Sequence, residues 1–281
     1  MLINIGVKML KKISKIISYL YQVYLLIRYA LVIDHKSQKK GCINEKGYFE
    51  SKLNEKDLLV FQRYYLNKYQ IISNHKFGNI DLPSEIFEPI NTLFEMIKHD
   101  VLNYIGPTAK LDGISYGFSD LSDSTKSISA LWHTDNVGLR LKCFVCLEGD
   151  GSQPTVLLKS KVKNEMLRAM LNAYIQLPRW IGFKNKKKYT EEVYIYHKSG
   201  SVIIFDTDVL HRGSYEMAQN RRIILQLEFS NPEKHKYILG PLGTNASNSF
   251  TFSAKYLESS VFCSFLDNER VHFVGDKYEY R

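Results

Sequence analysis

The sequence predicts a mainly β fold with flanking α-helices, of the sandwich or double-sheet jelly-roll type. After residue 113, apolar residues alternate at a spacing of two in many short segments, which is typical of half-buried strands. Before residue 105, two segments instead repeat apolar residues every three or four positions, as helices do. Tyr and Phe, at 19 and 15 of 281 residues, favour strands and apolar pockets.

Residues 1–47 are predicted to form a basic amphipathic helix and a linker, ahead of one domain at 48–281. Within 8–33, apolar residues recur at helical spacing between lysines. This stretch is too short and too polar for a transmembrane helix, and it lacks the cleavage site of a signal peptide. Two interpretations stay open: a helix packed on the main domain, or an in-plane helix in peripheral contact with an anionic membrane. Two glycines interrupt the polar stretch 35–47, as in a linker.

Two helices are predicted at the start of the main domain, over 55–73 and 83–104, with Asn54 as the cap of the first. Short strands follow, and a third helix is predicted over 161–175. The predicted strands cover 113–118, 128–132, 139–147, 154–158, 193–196, 200–205 and 221–229. Residues 232–281 show too little periodicity for elements to be assigned. Many short strands separated by turn signals are typical of sandwiches and jelly rolls.

The net charge of +9 is spread along the chain, so we expect a solvated basic surface and no nucleic-acid partner. Cys143 and Cys146, two of the four cysteines, form a C-x-x-C motif within a predicted strand. Positions i and i+3 of a strand point to opposite faces, which argues against a shared metal. We therefore expect free thiols and a reducing, cytoplasmic location, with membrane association if 8–33 binds lipid.

Two histidines, one carboxylate and one arginine define the candidate site. His133 and Asp135 are two residues apart, so a strand would present both on one face. His211 follows the end of a later predicted strand, and Arg222 comes eleven residues after it. Two His and one carboxylate are the facial triad of non-haem Fe(II) oxygenases, and an Arg pairs well with the carboxylate of an organic acid. The residues predict a metal site beside an organic-acid site.

The surrounding segments resemble the phytanoyl-CoA dioxygenase family, within the 2-oxoglutarate/Fe(II)-dependent dioxygenases. The resemblance covers residues 110–230, and its motifs are 132–135, 140–147, 153–155, 200–214 and the pair Arg221-Arg222. It implies a double-stranded β-helix, the cupin-like form of the jelly roll. It also implies O2 as oxidant and Fe(II) held by the catalytic ligands His133, Asp135 and His211. The family spacing further implies that Arg222, rather than Arg221, binds 2-oxoglutarate.

Three more positions bear on this resemblance. Lys142 matches a frequent family lysine, so it either contacts 2-oxoglutarate or forms a structural ion pair. The family often has a small hydroxyl residue two positions after the distal His; here that position is Gly213, and the adjacent Ser214 is the candidate for the co-substrate contact. Asp135 argues against the halogenase branch of these enzymes, which has a small residue at this position.

The substrate pocket is expected beside the metal site, lined by Trp132, Asn136 and Tyr116, with plain core packing as the alternative for Trp132. The resemblance implies hydroxylation of a small or lipid- or glycan-linked substrate, with release of succinate and CO2. Two other functions stay open: a non-enzymatic jelly-roll binding protein, and a cupin-like isomerase or epimerase that works without 2-oxoglutarate. The sequence assigns neither the substrate nor an oligomeric state.

Overall fold

A computed structural model gives the fold of the chain. It describes residues 46–68, 78–119, 132–135, 140–160, 190–207, 209–214, 220–231 and 249–281, with the single residues Ile16, Leu20, Tyr24, Ile43 and Ala130. Several predictions lie wholly or largely outside these residues: the helix within 8–33, the last turn of the helix at 55–73, the strand at 128–132 and the helix at 161–175. None of the described helices is long and apolar enough to cross a membrane.

Helix α1 (Glu55–Lys68) begins where the sequence predicts it. The Asn54 Oδ1 accepts a hydrogen bond from the backbone N–H of Asp57 at 2.8 Å, and the Asn54 amide donates to the Asp57 carboxylate at 2.7 Å. Phe61 and Tyr65, one turn apart, are fully buried. The predicted cap and the predicted apolar stripe are therefore both confirmed, because both are signals that act within one or two helical turns.

Helix α2 (Phe87–Ile105) follows a short 3₁₀ turn at Ser84–Ile86, so it begins four residues later than predicted. Pro89 lies in its first turn, where the missing backbone N–H is not needed. The helix ends at Gly106, whose φ of 110° suits a residue without Cβ. One side of the helix is buried throughout its length, at Phe87, Pro89, Ile90, Leu93, Phe94, Ile97, Val101, Tyr104 and Ile105.

Twelve strands are described, in two sheets. They are β1 (Tyr48–Lys52), β2 (Gly78–Leu82), β3 (Lys110–Ser119), β4 (Arg140–Glu148), β5 (Thr155–Ser160), β6 (Thr190–Ile195), β7 (Ser201–Asp206), β8 (Leu210–Gly213), β9 (Arg222–Ser230), β10 (Phe250–Phe252), β11 (Val271–Val274) and β12 (Lys277–Tyr280). The large sheet has nine strands in the order β1-β7-β4-β9-β3-β2-β10-β12-β11. The small sheet has the order β6-β5-β8.

The chain passes repeatedly from one sheet to the other. It runs from β3 in the large sheet to His133, which bridges β8 of the small sheet, and then to β4 in the large sheet. Next come β5 and β6 in the small sheet, β7 in the large, β8 in the small and β9 in the large. This alternation of antiparallel strands between two facing sheets is the double-stranded β-helix, so the predicted fold is confirmed.

The large sheet buries both of its faces. On β9, Ile223, Leu225 and Phe229 belong to the main core, where the Phe229 ring lies 6.0 Å from Phe94 of α2. Ile224, between them in sequence, instead joins a separate apolar cluster inside the barrel. The other buried members of that cluster are Phe144, Leu157, Ile195, Ile203 and Phe205. One face of the sheet therefore packs on the helices, and the other lines the barrel interior.

Both edges of the domain contain structure that the sequence does not assign. Ile43, placed in the predicted linker, is only 3 % exposed and packs in the main core, so the domain begins before residue 48. Toward the other end, residues 249–281 form β10, a short helix α3 (Ser260–Phe265) and the β11–β12 hairpin. β10 extends the large sheet by pairing in parallel with β2. The sequence shows little periodicity here because these elements are only three to six residues long.

Candidate functional site

The candidate site begins at a bridge between two segments of the small sheet. His133 and His211 exchange both backbone hydrogen bonds, at 3.0 and 2.8 Å, so they lie directly opposite each other. The backbone N–H of Asp135 donates to the Thr207 carbonyl at 3.2 Å, which keeps the segment extended past the bridge. The two imidazole rings are 4.4 Å apart between centroids. The structure therefore places the two histidines, distant in sequence, side by side.

The side chains of His133, Asp135 and His211 converge inside the barrel. The His133 Nε2 lies 3.7 Å from Asp135 Oδ1, and the His211 Nε2 lies 3.3 Å from Asp135 Oδ2. One ligand atom from each of the three residues falls within 4.8 Å of the others. Metal bonds of about 2.1 Å at right angles put neighbouring donor atoms about 3 Å apart, so the three donors need little movement to hold one cation.

The hydrogen bonding of His211 also suits a metal. Its Nδ1 lies 2.9 Å from the Val209 carbonyl oxygen, which can only accept, so Nδ1 carries the hydrogen. The Nε2 lone pair is then directed towards Asp135. A backbone carbonyl that fixes the tautomer in this way is a common support for a metal-binding histidine. The chemistry of the donor set and its geometry therefore both fit a divalent cation.

Lys142 forms an ion pair with the carboxylate of this cluster. Its Nζ lies 2.6 Å from Asp135 Oδ2 and 3.6 Å from Glu228 Oε1. Burial by itself raises the pKa of Asp135, but the Lys142 ammonium outweighs burial and holds that pKa below its usual value. Asp135 is therefore an anion at neutral pH, as a metal ligand must be. Of the two predicted roles of Lys142, the structure contains the ion pair; the 2-oxoglutarate contact stays a prediction.

Alternating charges continue behind Lys142, away from the cluster. The second oxygen of Glu228, Oε2, lies 3.2 Å from Arg140 Nη2. The same Arg140 nitrogen lies 2.8 Å from Asp112 Oδ2. Asp112 and Arg140 are only 4 % and 3 % exposed, so each charge depends on its neighbour for compensation. Asp135 is thus the outermost member of a row of five alternating charges that crosses the large sheet.

The two adjacent arginines at the start of β9 lie in opposite environments. Arg222 is buried, and its Nη1 donates to the Gln153 carbonyl oxygen at 2.8 Å. Arg221 is 44 % exposed and pairs with Glu148 at 2.5 Å. Ser214, the other predicted co-substrate contact, is buried nearby, where its backbone N–H donates to the Pro154 carbonyl at 2.9 Å. Arg222 is therefore the arginine that supplies a positive charge inside the barrel.

The three residues expected to line the substrate pocket lie elsewhere or outside the described chain. Tyr116 faces the helices, with its ring 6.1 Å from that of Tyr65 in α1. Trp132 packs beside Leu158 and Leu210, and the Arg212 guanidinium lies 5.0 Å from its ring. Trp132 directly precedes His133 on an extended segment, so its side chain points to the other face, and Tyr116 belongs to the main core on the helix side. The pocket prediction is wrong for Tyr116 and Trp132, and Asn136 lies outside the described residues.

His197 is a buried polar residue of the site that the sequence did not single out. It is 1 % exposed, and its Nε2 lies 2.8 Å from the Thr155 Oγ1. Burial and the nearby Arg222 guanidinium hold the pKa of His197 well below its usual value. In the sequence, His197 follows β6 and has no second histidine or carboxylate at a motif spacing beside it. The only sequence signal is its position at the end of a strand, which is too common to identify a site.

Comparisons with known proteins show a likeness of fold. No family model matches the sequence, and no curated protein matches it. HygX from Streptomyces hygroscopicus, solved with nickel and 2-oxoglutarate bound, is 12 % identical over 67 % of this chain and 84 % of its own, with a TM-score of 0.44. AviO1 from Streptomyces viridochromogenes Tue57 is 10 % identical over 66 % of this chain and 90 % of its own, with a TM-score of 0.43.

A third similar structure is SnoN, the non-haem α-ketoglutarate-dependent epimerase of nogalamycin biosynthesis. It is 10 % identical over 79 % of this chain and 92 % of its own, with a TM-score of 0.46. What these proteins bind or catalyse describes those proteins alone. The phytanoyl-CoA dioxygenase pattern stays a resemblance of motifs.

Proposed function

We propose that this chain is an Fe(II)- and 2-oxoglutarate-dependent dioxygenase that hydroxylates a small or lipid- or glycan-linked substrate. The observation that carries the proposal is the convergence of His133, Asp135 and His211, with donor atoms within 4.8 Å of one another inside the barrel. Two imidazoles and one carboxylate on one side of a metal leave three positions for a bidentate keto acid and O2. A plain zinc-structural site would instead fill its coordination with protein ligands.

Arg222 supports the co-substrate part of the proposal. A buried guanidinium beside apolar residues favours an anionic ligand, because an arginine cannot lose its charge. Along β5, Leu157 pairs with His211 and Thr155 pairs with Gly213. Two strand residues span about 7 Å. The distance along β5 from the level of His211 towards Arg222 is therefore comparable to the length of a five-carbon dicarboxylate. The keto acid would lie in this interval, along the apolar residues of the interior.

Each group of residues has a role in this reaction. His133, Asp135 and His211 would hold the metal, and Arg222 would fix the co-substrate through its far carboxylate. When bound, Fe(II) with 2-oxoglutarate supplies a strong oxidant from O2, with release of succinate and CO2. Phe144, Phe205 and their neighbours line the interior and exclude water from the bound acid. Lys142 neutralises one oxygen of Asp135 and so orients its carboxylate.

The direct test replaces one proposed metal ligand. His133→Ala is expected to lose bound Fe(II) and, with it, succinate formation from 2-oxoglutarate and O2, because two ligands hold a divalent cation far more weakly than three. Iron content after anaerobic loading and succinate release without added substrate are the measurements. His272→Ala, on the exposed strand β11, is the matched control and should retain both.

The same measurements separate the three functions that the sequence leaves open. A binding protein without turnover would load iron and 2-oxoglutarate but form no succinate above the metal-free background. An isomerase or epimerase independent of 2-oxoglutarate would bind metal without measurable affinity for the acid. Equal succinate release by the wild type and His133→Ala would contradict the proposed dioxygenase.

A further inference from the structure

His197 lies in the part of the barrel that also contains Arg222. Its ring is 5.7 Å from that of Phe144, which belongs to the interior apolar cluster. The Phe144 ring is in turn 5.1 Å from Phe205, and Phe205 is 5.2 Å from His211. A series of contacting aromatic rings therefore connects the proposed metal ligand His211 to His197 through the barrel interior. The histidine faces the interior rather than solvent.

Among the described residues, one ring nitrogen of His197 has a partner and the other has none. Nε2 lies 2.8 Å from the Thr155 Oγ1. Nδ1 is buried and, within the described part of the chain, makes no hydrogen bond. A buried nitrogen without a partner costs free energy, so such an atom in a folded protein needs an explanation. A ligand that enters the barrel would supply the missing partner.

The surroundings keep this imidazole neutral. Burial lowers the pKa of His197, and the positive charge of Arg222 lowers it further. A neutral imidazole carries one N–H, and the hydroxyl of Thr155 can donate to Nε2. The hydrogen of His197 then resides on Nδ1, as a neutral donor close to a guanidinium. A donor and a cation side by side are a suitable pair for one carboxylate.

The backbone around His197 is held firmly from the adjoining turn. The Gly151 N–H donates to the His197 carbonyl at 3.0 Å. A Cβ at Gly149 would lie 2.6 Å from the same carbonyl oxygen and 2.8 Å from the Cys146 Sγ, so only glycine fits there. The position of the ring is therefore set before any ligand arrives, which lowers the entropic cost of binding.

We propose that His197 is a further recognition residue for 2-oxoglutarate: its Nδ1–H donates to the distal carboxylate that Arg222 binds, while Thr155 fixes the tautomer through Nε2. This inference rests on the proposed function. His197 thereby discriminates a dicarboxylic from a monocarboxylic 2-oxo acid. It takes no part in metal binding, since its ring lies beyond Phe144 and Phe205 from the histidine cluster.

The experiment compares two ligands that differ only at the distal end. Binding of 2-oxoglutarate and of 2-oxopentanoate, which lacks the distal carboxylate, is measured by calorimetry on the Ni(II)-loaded full chain. His197→Phe keeps the ring and removes both nitrogens. It should weaken 2-oxoglutarate binding roughly 10- to 100-fold, the range for a hydrogen bond to a charged group, and leave 2-oxopentanoate binding unchanged.

A second variant guards against a purely structural effect. His197→Asn retains an amide N–H near the position of Nδ1 and should recover much of the lost 2-oxoglutarate affinity. Thr155→Val removes the hydroxyl at nearly constant shape and should weaken the same ligand alone. Melting temperatures of all three variants show whether the fold is intact.

Two results would overturn the role of His197 while leaving the dioxygenase intact. An equal loss of affinity for 2-oxoglutarate and 2-oxopentanoate would show that His197 supports the fold rather than the distal carboxylate. No loss for either would mean that a buried water, rather than the co-substrate, satisfies Nδ1. A wild-type protein that binds 2-oxoglutarate no better than 2-oxopentanoate, with no effect of Arg222→Met, would overturn the proposed function and the role of His197 together.

Discussion

The barrel interior has two contrasting ends. The metal end consists of His133, Asp135, His211 and Lys142, and the anion end consists of Arg222, His197 and Thr155. At the metal end, the side chains of His133, Asp135 and Lys142 are 15 %, 23 % and 16 % exposed, whereas His211 is buried. At the anion end Arg222, Thr155 and His197 are 9 %, 4 % and 1 % exposed.

This difference follows the order in which the proposed ligands must act. A co-substrate that binds first can be enclosed at the deep end, where burial strengthens its pairing with Arg222. In the proposed reaction, the substrate and O2 would need access to the metal. In the row that begins at Asp135, each charge lies beside a charge of the opposite sign. At the anion end, the buried Arg222 guanidinium donates to the Gln153 carbonyl, and its positive charge favours an anionic ligand.

The largest effect that would test this contrast is expected from Arg222→Met. Removing one partner of a buried, hydrogen-bonded charge pair should weaken 2-oxoglutarate binding by roughly 100-fold or more, without loss of bound metal. Arg221→Met is the matched control, because Arg221 is exposed and pairs with Glu148 on the surface. Calorimetry with 2-oxoglutarate measures both variants. A larger effect at Arg221 would assign the co-substrate to the other arginine.

Lys142→Met perturbs the metal end alone. Partners that orient a metal ligand typically contribute about 10- to 100-fold in metal affinity or activity, and we expect succinate formation to fall within that range. The KM for 2-oxoglutarate should change less than the rate, because the Lys142 Nζ pairs with the proposed metal ligand Asp135 rather than with the co-substrate. Steady-state kinetics of succinate release give both quantities. A rise in KM with an unchanged rate would instead show that Lys142 contacts the co-substrate.

A milder disturbance of the anion end comes from Gly149→Ala. The added Cβ would meet the His197 carbonyl at 2.6 Å, so the turn must move. Overpacking of this kind costs about 1–3 kcal/mol, and each kcal/mol lowers Tm by roughly 2–4 °C in a domain of this size. We expect a lower Tm and several-fold weaker 2-oxoglutarate binding, with unchanged metal affinity. Differential scanning calorimetry and metal titration provide the comparison.

The smallest expected effect is a lack of chemical modification at residues of the anion end. Burial raises the pKa of the Cys146 thiol to about 12, so almost no thiolate is present at pH 8. Iodoacetamide should therefore leave Cys146 unmodified in the folded protein and modify it after unfolding. Diethylpyrocarbonate should modify His133 well before His197, given their exposures. Peptide mass spectrometry follows both reagents, and early labelling of Cys146 or His197 would show that the anion end is open.

The sequence predicts the proposed ligands better than the pocket around them. His133 and Asp135 share a face because strand side chains alternate, and this rule is local. His211 and Arg222 were found from motif spacing. Trp132 packs against Leu158 and Leu210 of the small sheet. The pocket prediction is wrong at Tyr116 because alternation shows only which residues share a face, and both faces of the large sheet are buried. Hydrophobicity therefore cannot tell the helix-facing side from the barrel interior.

Residues defined by long-range contacts were also missed. The role proposed for His197 depends on Thr155 and Arg222. Both are distant from His197 in sequence and close to it in the folded chain. Ile43 is an isolated apolar residue in a polar stretch of sequence, and only its packing in the main core shows that it belongs to the domain. The short elements of 249–281 depend on pairing with β2 rather than on their own pattern.

The position of β9 in the large sheet constrains how this chain can fold during synthesis. β9 lies between β3 and β4, yet a ribosome makes it after β8. Until residue 230 has emerged, β3 can pair with β2 and β4 with β7, but the strand edges of β3 and β4 that bind β9 stay unpaired. Such late, non-local closure is typical of slowly folding β proteins that depend on chaperones. Glu228 arrives on the same strand, so the charge row behind Asp135 is completed only as the barrel closes.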